Sequence, residues 1–522
     1  MENIKGKILW VDDEIEMLRS HILFLKDKGY DVYTVTNGED AITSVSSNNF
    51  DLIFLDEMMA GMGGLETLAK IKEINPNLPV VMITKNEEER LMEDAIGSKI
   101  SDYLIKPINP SQVLITTKKF LEAKKISAEY ISRDYIKEFQ EISRTMMFDP
   151  NYEDWIDIYL KLVSWDLELD ENRDLGLQQS ISDQKRECNS EFGKYVEKNY
   201  KKWINGEGDK PILSNEVVEK FIIPELIKER SVFFFVIDCM RLDQWLLMEK
   251  ELYDFFNISK SYYYSILPTA TPFARNALFS GLFPSEIEKY YPELWKVNDD
   301  DENSLNKYEP QLLEKLLERK RIKLKKDLKY LKVLDTEYGR QIEQTISNYS
   351  NNDLTSIVIN FVDMLAHGRS DSALLKEISP NEPAYRSLTY SWFIHSSFFN
   401  MLKTLSKQKN VTIIITSDHG SIRCLRGTKV LGDREASTNL RYKFGKNLKC
   451  EDKNAIFVKN PLDYKLPRRG ITINYIIAKE DYYFVYPTEY HKYLNYYKDT
   501  FQHGGISMEE MILPVVTLKP KI

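Results

Sequence analysis

Residues 51–56, DLIFLD, form an apolar run of strand character that ends on a carboxylate, and the reading of the N-terminal part of the chain turns on them. Outward from it, KILWV (7–11) runs into Asp12 and Asp13, DVYTV spans 31–35, LPVVMIT ends on Thr84, and YLIKP (103–107) carries Lys106 ahead of Pro107. Stretches with apolar residues at helical spacing separate these runs, and a last one reaches about residue 123. Parallel strands need a long crossover, which a helix supplies, so five such βα units predict a parallel, doubly wound sheet.

The whole chain has 522 residues, too many for one core at roughly 150 residues per domain. From about 124 to 205 the strand signal disappears, and Ile126, Tyr130 and Ile131, then Trp155, Ile158, Tyr159 and Leu162, fall at helical spacing; this predicts roughly three helices. NGEGDK (205–210) breaks that pattern. A helix at about 215–228 then leads into SVFFFVID, the start of a second α/β region. There the runs 232–237, 356–361, 411–416 and 511–518 read as strands and 308–317 and 390–405 as helices, giving a mostly parallel sheet covered on both faces. The predicted organisation is therefore multidomain α/β: 1–123, an all-helical 124–211, and 212–522.

Lys plus Arg number 71 against 80 Asp plus Glu, a net charge of −9, so the overall balance carries no signature of nucleic-acid binding. The four cysteines show no CxxC spacing and read as reduced thiols. The opening MENIKGKILWVDDE holds no signal-peptide core, and no stretch approaches the ~20 apolar residues of a membrane span, so the expectation is a cytoplasmic protein without a membrane segment.

In a βα sheet the strand ends converge on one edge, where ligands bind. Asp12, Asp13, Asp56, Thr84 and Lys106 all stand there. Three carboxylates suit a hard cation such as Mg²⁺, with one left to attack a phosphoryl donor and Thr84 and Lys106 on the phosphoryl oxygens. These residues resemble a CheY-type receiver domain. The resemblance implies that Asp56 accepts the phosphoryl group from a sensor histidine kinase and that Asp12, Asp13 and Asp56 hold Mg²⁺ with the carbonyl of Met58. It also implies that Thr84 and Tyr103 form a switch pair, that Lys106-Pro107 is cis, and that phosphorylation promotes a homodimer.

The C-terminal region carries Asp238 in VIDCMRLD, Thr271 in LPTATPFAR, Asp363 and His367 in NFVDMLAHG, Asp418-His419 in TSDHGS and His503 in FQHGG. Asp363 and His367 are four apart, on one helical face, as two ligands of one metal require. Adjacent Asp418 and His419 offer an oxygen and a nitrogen in different directions. Three His, three Asp and a hydroxyl suit two Zn²⁺ ions roughly 4 Å apart. Thr271 is the candidate nucleophile, a hydroxyl too weak at neutral pH unless a metal activates it. The spacing in PTATP leaves Thr269 open beside it.

Residues 212–522 resemble the PglZ domain of the alkaline phosphatase superfamily. The resemblance implies one zinc on Asp238, Thr271, Asp418 and His419, a second on Asp363, His367 and His503, and phosphodiesterase action on nucleotide or oligonucleotide substrates. The order of the three regions resembles a family of response regulators linked to type IX secretion. The alternative is a non-catalytic, zinc-containing interaction module that recruits a sigma factor or a secretion component on phosphorylation. A DNA-binding output is disfavoured, since no helix-turn-helix is recognisable after residue 123.

Arg275 and Arg434 are candidate substrate contacts, and Lys429, Arg434, Arg441 and Lys443 could line a groove or form a solvated loop. Residues 312–331, dense in Lys and Arg, read as a charged exposed helix. His21, His395 and His491 read as structural, and Tyr262, Tyr263 and Tyr264 as strand and core residues.

Overall fold

The structure is a computed structural model that describes residues 4–85, 100–228, 231–295, 306–326, 328–433, 437, 439–468, 470 and 472–521. The chain divides into two compact units, Met1–Ile136 and Lys137–Ile522.

In the first unit β1 (Lys7–Val11), β2 (Asp31–Val35), β3 (Leu52–Asp56), β4 (Val80–Thr84) and β5 (Asp102–Ile105) form a parallel sheet of order β2-β1-β3-β4-β5. Both faces are covered, so the central strands are apolar throughout. Alternation still sorts their side chains: Leu9, Val11, Ile53 and Leu55 enter one core cluster, Ile8, Trp10, Leu52 and Phe54 the other. Helices Arg19–Asp27, Gly38–Ser47, Gly64–Ile74 and Pro110–Leu121 supply the covers. The helix expected between β4 and β5 lies outside the described residues.

Three long helices occupy the middle of the chain, Ala123–Met147, Tyr152–Glu171 and Gln178–Ile204. Asn151 caps the second, accepting from the amides of Glu153 and Asp154 while Asp154 returns the bond to the Asn151 amide.

The second unit is built on a six-stranded sheet. β6 (Ser231–Ile237), β7 (Phe256–Tyr264), β8 (Lys329–Val333), β9 (Leu354–Ile359), β10 (Val411–Thr416) and the C-terminal strand Ile512–Pro520 lie in the order β7, C-terminal strand, β10, β6, β9, β8. The four strands from β10 to β8 are parallel, and the C-terminal strand and β7 add an antiparallel edge. Phe233, Phe235, Ile357, Ile413 and Ile415 anchor the large core cluster on one face.

Two local readings are corrected here. The stretch 312–331 is not one exposed helix: helix Glu309–Arg319 buries Leu312, Leu313, Leu316 and Leu317, the chain turns at Arg321 (φ 57°), and 329–333 is the edge strand β8. The amphipathic period ends with the helix, and the lysines that follow belong to the turn and the strand. The stretch 390–405 is two helices, Glu382–His395 and Ser397–Leu405, because Ser396 is extended and caps the second through a bond from the Phe399 amide.

Candidate metal centres

In the first unit the carboxylates of Asp12, Asp13 and Asp56 lie within 4.8 Å of one another at the ends of β1 and β3. Lys106 Nζ is 3.1 Å from Asp12 Oδ2 and 3.0 Å from Asp56 Oδ1. Burial pushes the Asp56 carboxyl up, Lys106 opposes this, and Asp12 and Asp13 add to it. Burial also works against the Lys106 charge, but the bonds to Asp56 and Asp12 outweigh it and raise its pKa. One ammonium against three carboxylates leaves negative charge uncompensated, and an all-oxygen donor set fits a hard cation. Thr84 closes β4, Tyr103 on β5 is substantially exposed, and Lys106-Pro107 is cis. Gly64 sits where a Cβ would come within 2.4 Å of the Asp56 carbonyl, so the helix after the acidic site starts hard against it.

In the second unit three parallel strands deliver ligand candidates to one sheet edge. Asp238 follows β6, and the next residue, Cys239, takes a left-handed turn (φ 65°) that aims its amide at Asp418 Oδ1, 3.4 Å away. Asp363 lies in the first turn of the helix Phe361–Asp371 after β9, with His367 one turn on and its Nε2 3.4 Å from Asp363 Oδ1. Asp418 and His419 follow β10 on a tightly held turn. Tyr263 donates to the Ser417 carbonyl, Ser265 donates to the Asp418 carbonyl at 2.7 Å, and Ser417 Oγ donates to the His419 carbonyl at 2.7 Å. A side chain at Gly420 would meet the Glu509 carbonyl at 1.9 Å, so only glycine fits there. His503 follows the short strand Thr500–Gln502, and Gly504 (φ 114°) turns the chain away.

The candidates gather into two groups, each with its ligand atoms within 4.8 Å: Asp238, Asp418 and His419, and Asp363, His367 and His503. His503 Nε2 is 3.3 Å from His367 Nε2 and 3.6 Å from Asp363 Oδ1. The groups adjoin, since the His419 and His503 rings stack with centroids 4.3 Å apart. Thr271 Oγ1 lies 2.9 Å from His419 Nε2 and 3.4 Å from Asp238 Oδ1. The Thr269 hydroxyl instead donates to the Gly505 carbonyl at 2.7 Å, so the fold separates two threonines that the spacing left equivalent.

Burial pushes Asp238 up to about 7 against the pull of Arg275, and Asp418 up to about 6 for the same reason. Burial also works to raise Asp363, but the hydrogen bond and charge of His367, with His503 and His419 nearby, outweigh it and hold that carboxyl well below the usual range. Asp418 Oδ2 is buried without a hydrogen bond, and Asp363 Oδ1 is buried against the imidazole Nε2 atoms of His367 and His503 at 3.4 and 3.6 Å. Buried carboxylate oxygens such as these, beside imidazole nitrogens, are the donor set that a borderline cation such as Zn²⁺ satisfies.

Arg275 is buried, its Nη1 2.6 Å from Asp238 Oδ2 and 3.8 Å from Asp418 Oδ2, and its Nε 2.6 Å from Glu309 Oε1. Tyr330 donates to the other Glu309 oxygen. The guanidinium thus sits behind the ligand carboxylates and is committed to them. Arg434 lies outside the described residues. At Arg441 and Lys443 both the groove and the solvated-loop readings are corrected: Arg441 is buried against Glu510, with Nη2 2.5 Å from Oε2, and Lys443 is buried under the Tyr486 ring with its Nζ on the Ser437 carbonyl, while Lys429 is exposed. Glu510 also accepts from the Gly505 amide at 2.8 Å, so it braces the turn after His503. Glu309 and Glu510 escape sequence reasoning because they are acidic residues among many, with no motif around them.

His21 Nε2 lies 3.1 Å from the Ile108 carbonyl and His395 Nδ1 2.8 Å from the Ser391 carbonyl, while the His491 ring lies against Tyr490. Among the described residues no helix is long and apolar enough to cross a membrane.

Family profiles match three consecutive stretches: a response regulator receiver domain over 8–118, a PorX response regulator linker domain over 125–204, and a BREX system PglZ alkaline phosphatase-like domain over 217–518. Curated relatives are similar over about a quarter of this chain. The alginate biosynthesis transcriptional regulatory protein AlgB of Pseudomonas syringae is 38% identical over 124 residues, 24% of this chain and 28% of that protein. The transcriptional regulatory protein ResD of Bacillus subtilis is 35% identical over 115 residues, 22% of this chain and 48% of that protein. The chain thus spans less than half the length of these relatives. A two-component response regulator from Clostridium difficile is similar among solved structures, 31% identical, with 23% of this chain and 97% of that one covered and a TM-score of 0.22. The PglZ match covers more than half of the chain, which therefore belongs to the PglZ alkaline phosphatase-like family and carries a response regulator receiver and a PorX linker domain ahead of that module.

Proposed function

We propose that this response regulator is phosphorylated on Asp56 by a sensor histidine kinase and that its output is a zinc-dependent phosphodiesterase acting on nucleotides or oligonucleotides. The observation that carries the output reading is the placement of the Thr271 hydroxyl, 2.9 Å from His419 and 3.4 Å from Asp238, beside two groups of metal-ligand type. One zinc would be held by Asp238, Thr271, Asp418 and His419, the other by Asp363, His367 and His503. When bound, zinc supplies Lewis acidity, lowering the pKa of a nearby hydroxyl and stabilising charge on a departing oxygen.

The residues have separable tasks. Asp238 and His419 orient the Thr271 hydroxyl, whose oxygen attacks phosphorus as the bond to the ester oxygen breaks. The threonine proton is released and a proton ends on the leaving oxygen; water then frees the phosphoryl group from Thr271. Arg275 holds Asp238 from behind, and Glu510 with Gly420 and Gly504 keeps the His419 and His503 turns in place. In the receiver, Asp12, Asp13 and the Met58 carbonyl would hold Mg²⁺, while Lys106, Thr84 and Tyr103 sense the phosphoryl group, which promotes a homodimer. The PorX linker match supports a role in type IX secretion control, in the cytoplasm, through a secretion component or sigma factor.

The test is hydrolysis of a panel of phosphomonoesters, diesters and short oligonucleotides by the zinc-loaded chain, beside Thr271→Val. Turnover of diesters that the variant loses at unchanged zinc content supports the enzyme. No turnover above the variant on any substrate rejects it and leaves a zinc-containing interaction module.

A further inference from the structure

A cavity of about 720 Å³ opens at the carboxyl ends of β8 and β9, where Val333 and Ile359, the last residues of those strands, form its floor. It is the next stretch of the sheet edge that holds the metal-ligand candidates. Along that edge Asp418 follows β10, Asp238 follows β6 and Asp363 follows β9, and beyond β9 comes β8. The two features also share an element, since the helix Phe361–Asp371 gives Phe361 and Met364 to the cavity and Asp363 and His367 to the metal group. The crevice along strand ends is where open α/β sheets bind ligands, and the volume is in the range of small-molecule sites, roughly 300–1,000 Å³.

The lining says which part of a nucleotide fits. The Phe361 and Trp392 rings are stacked in parallel, 4.3 Å between centroids at 3°. Met364 and Leu334 extend the apolar wall, and both are half exposed. The charged lining residues include Asp335 and Glu343 against Arg340, a poor setting for a phosphate. Carboxylate and amide oxygens around a flat apolar wall suit the amino-bearing edge and the faces of a purine.

We infer that this cavity is the nucleobase subsite of the output domain, taking a purine next to the scissile phosphate while the phosphate sits on the Asp238 and Asp363 side. The inference rests on the nucleotide-directed reading above and adds to it the recognition of the base. The walls come from four helices, Thr336–Thr345, Phe361–Asp371 and the pair on either side of Ser396, so base selectivity is set by elements that carry none of the metal ligands except the second.

The test uses adenosine, which has no phosphate and therefore reports on the cavity apart from any metal-bound phosphate, titrated calorimetrically into the full-length protein. Adenosine binds wild type and inhibits hydrolysis of a purine dinucleotide competitively. Trp392→Ala weakens adenosine about tenfold, as expected for loss of one stacking partner. The same variant lowers the kcat/KM ratio of dinucleotide to p-nitrophenyl phosphate by a similar factor. Asn400→Trp, at an exposed position on the wall, fills the space and abolishes adenosine binding with the melting temperature unchanged, which covers the case of a misfolded Trp392→Ala. Adenosine that fails to bind wild type, or binds all three proteins equally, overturns the subsite. Adenosine binding as described with no phosphoester turnover keeps the subsite and rejects the enzyme.

Discussion

The two acidic sites of this molecule keep their carboxylates together with an organic cation, but they hold that cation in opposite ways. In the receiver, Lys106 reaches Asp12 and Asp56 through a flexible stem whose side chain is 16% exposed, so it can swing aside when a metal ion or a phosphoryl group arrives. In the output domain Arg275 is buried, forked between Asp238 and Glu309, and Glu309 is itself held by Tyr330. The first arrangement suits a site that is filled and emptied; the second suits one whose ligands must stay in place. The donors differ in the same sense, oxygens alone in the receiver and oxygens with imidazoles in the output domain.

The sharpest break of this comparison is Thr271→Val. The group at the centre of the fixed site should be irreplaceable, with kcat on diesters down by ~10³-fold or more at full zinc occupancy, measured by initial rates and metal analysis. Residual turnover within tenfold of wild type would remove Thr271 from the chemistry.

Arg275→Gln tests permanence directly. Removing one partner of a buried ion pair leaves Asp238 and Glu309 uncompensated and should destabilise the output unit by about 3–5 kcal/mol in urea unfolding of the metal-free protein. A loss under about 1 kcal/mol would make the two cations equivalent and end the contrast. Chelation comes next: zinc at ~100 times its Kd should contribute about 2.7 kcal/mol to the output unit for each ion bound, lost on adding a chelator.

Lys443 supplies a buried cation that rests on a carbonyl and an aromatic ring, and burial pulls it down to about 7. Between pH about 7 and the ordinary lysine range the unfolded chain carries a proton here that the folded chain lacks. The residue's contribution therefore rises with pH across that window, and falls as pH drops towards 7. Lys443→Met should raise stability by ~1 kcal/mol at pH 7, with the gain shrinking towards pH 9, read from melts at both values. The smallest effect is expected of Lys106→Met, a change of about 1 kcal/mol or less in receiver stability with Mg²⁺ affinity raised several-fold, because the departing ammonium no longer competes for the carboxylates.

Much of both sites was legible in the chain itself, for local reasons. Apolar runs of strand length that end on or just before Asp, followed by helical spacing, specify a strand end and so a place on the ligand edge, which found Asp12, Asp56, Asp238 and Asp418, while Asp363, inside the next helix, was marked by its spacing to His367. His367 follows Asp363 by one helical turn and His419 adjoins Asp418, so their company was also local. The same local reasoning failed where its period ran on past a turn, as at Arg321 and Ser396.

What the sequence by itself determined is the order of elements, the parallel architecture and the residue types at the strand ends, since these follow from periodicity, turn chemistry and the handedness of βα crossovers. Tertiary structure alone decided which threonine faces the histidines, that Arg275 turns to Asp238 and Glu309, that Arg441 and Lys443 are buried, and that Glu510 braces the His503 turn. Those outcomes join residues far apart in the chain. Their free energies depend on burial and on which charges come to lie within a few ångströms, and neither is encoded in local spacing.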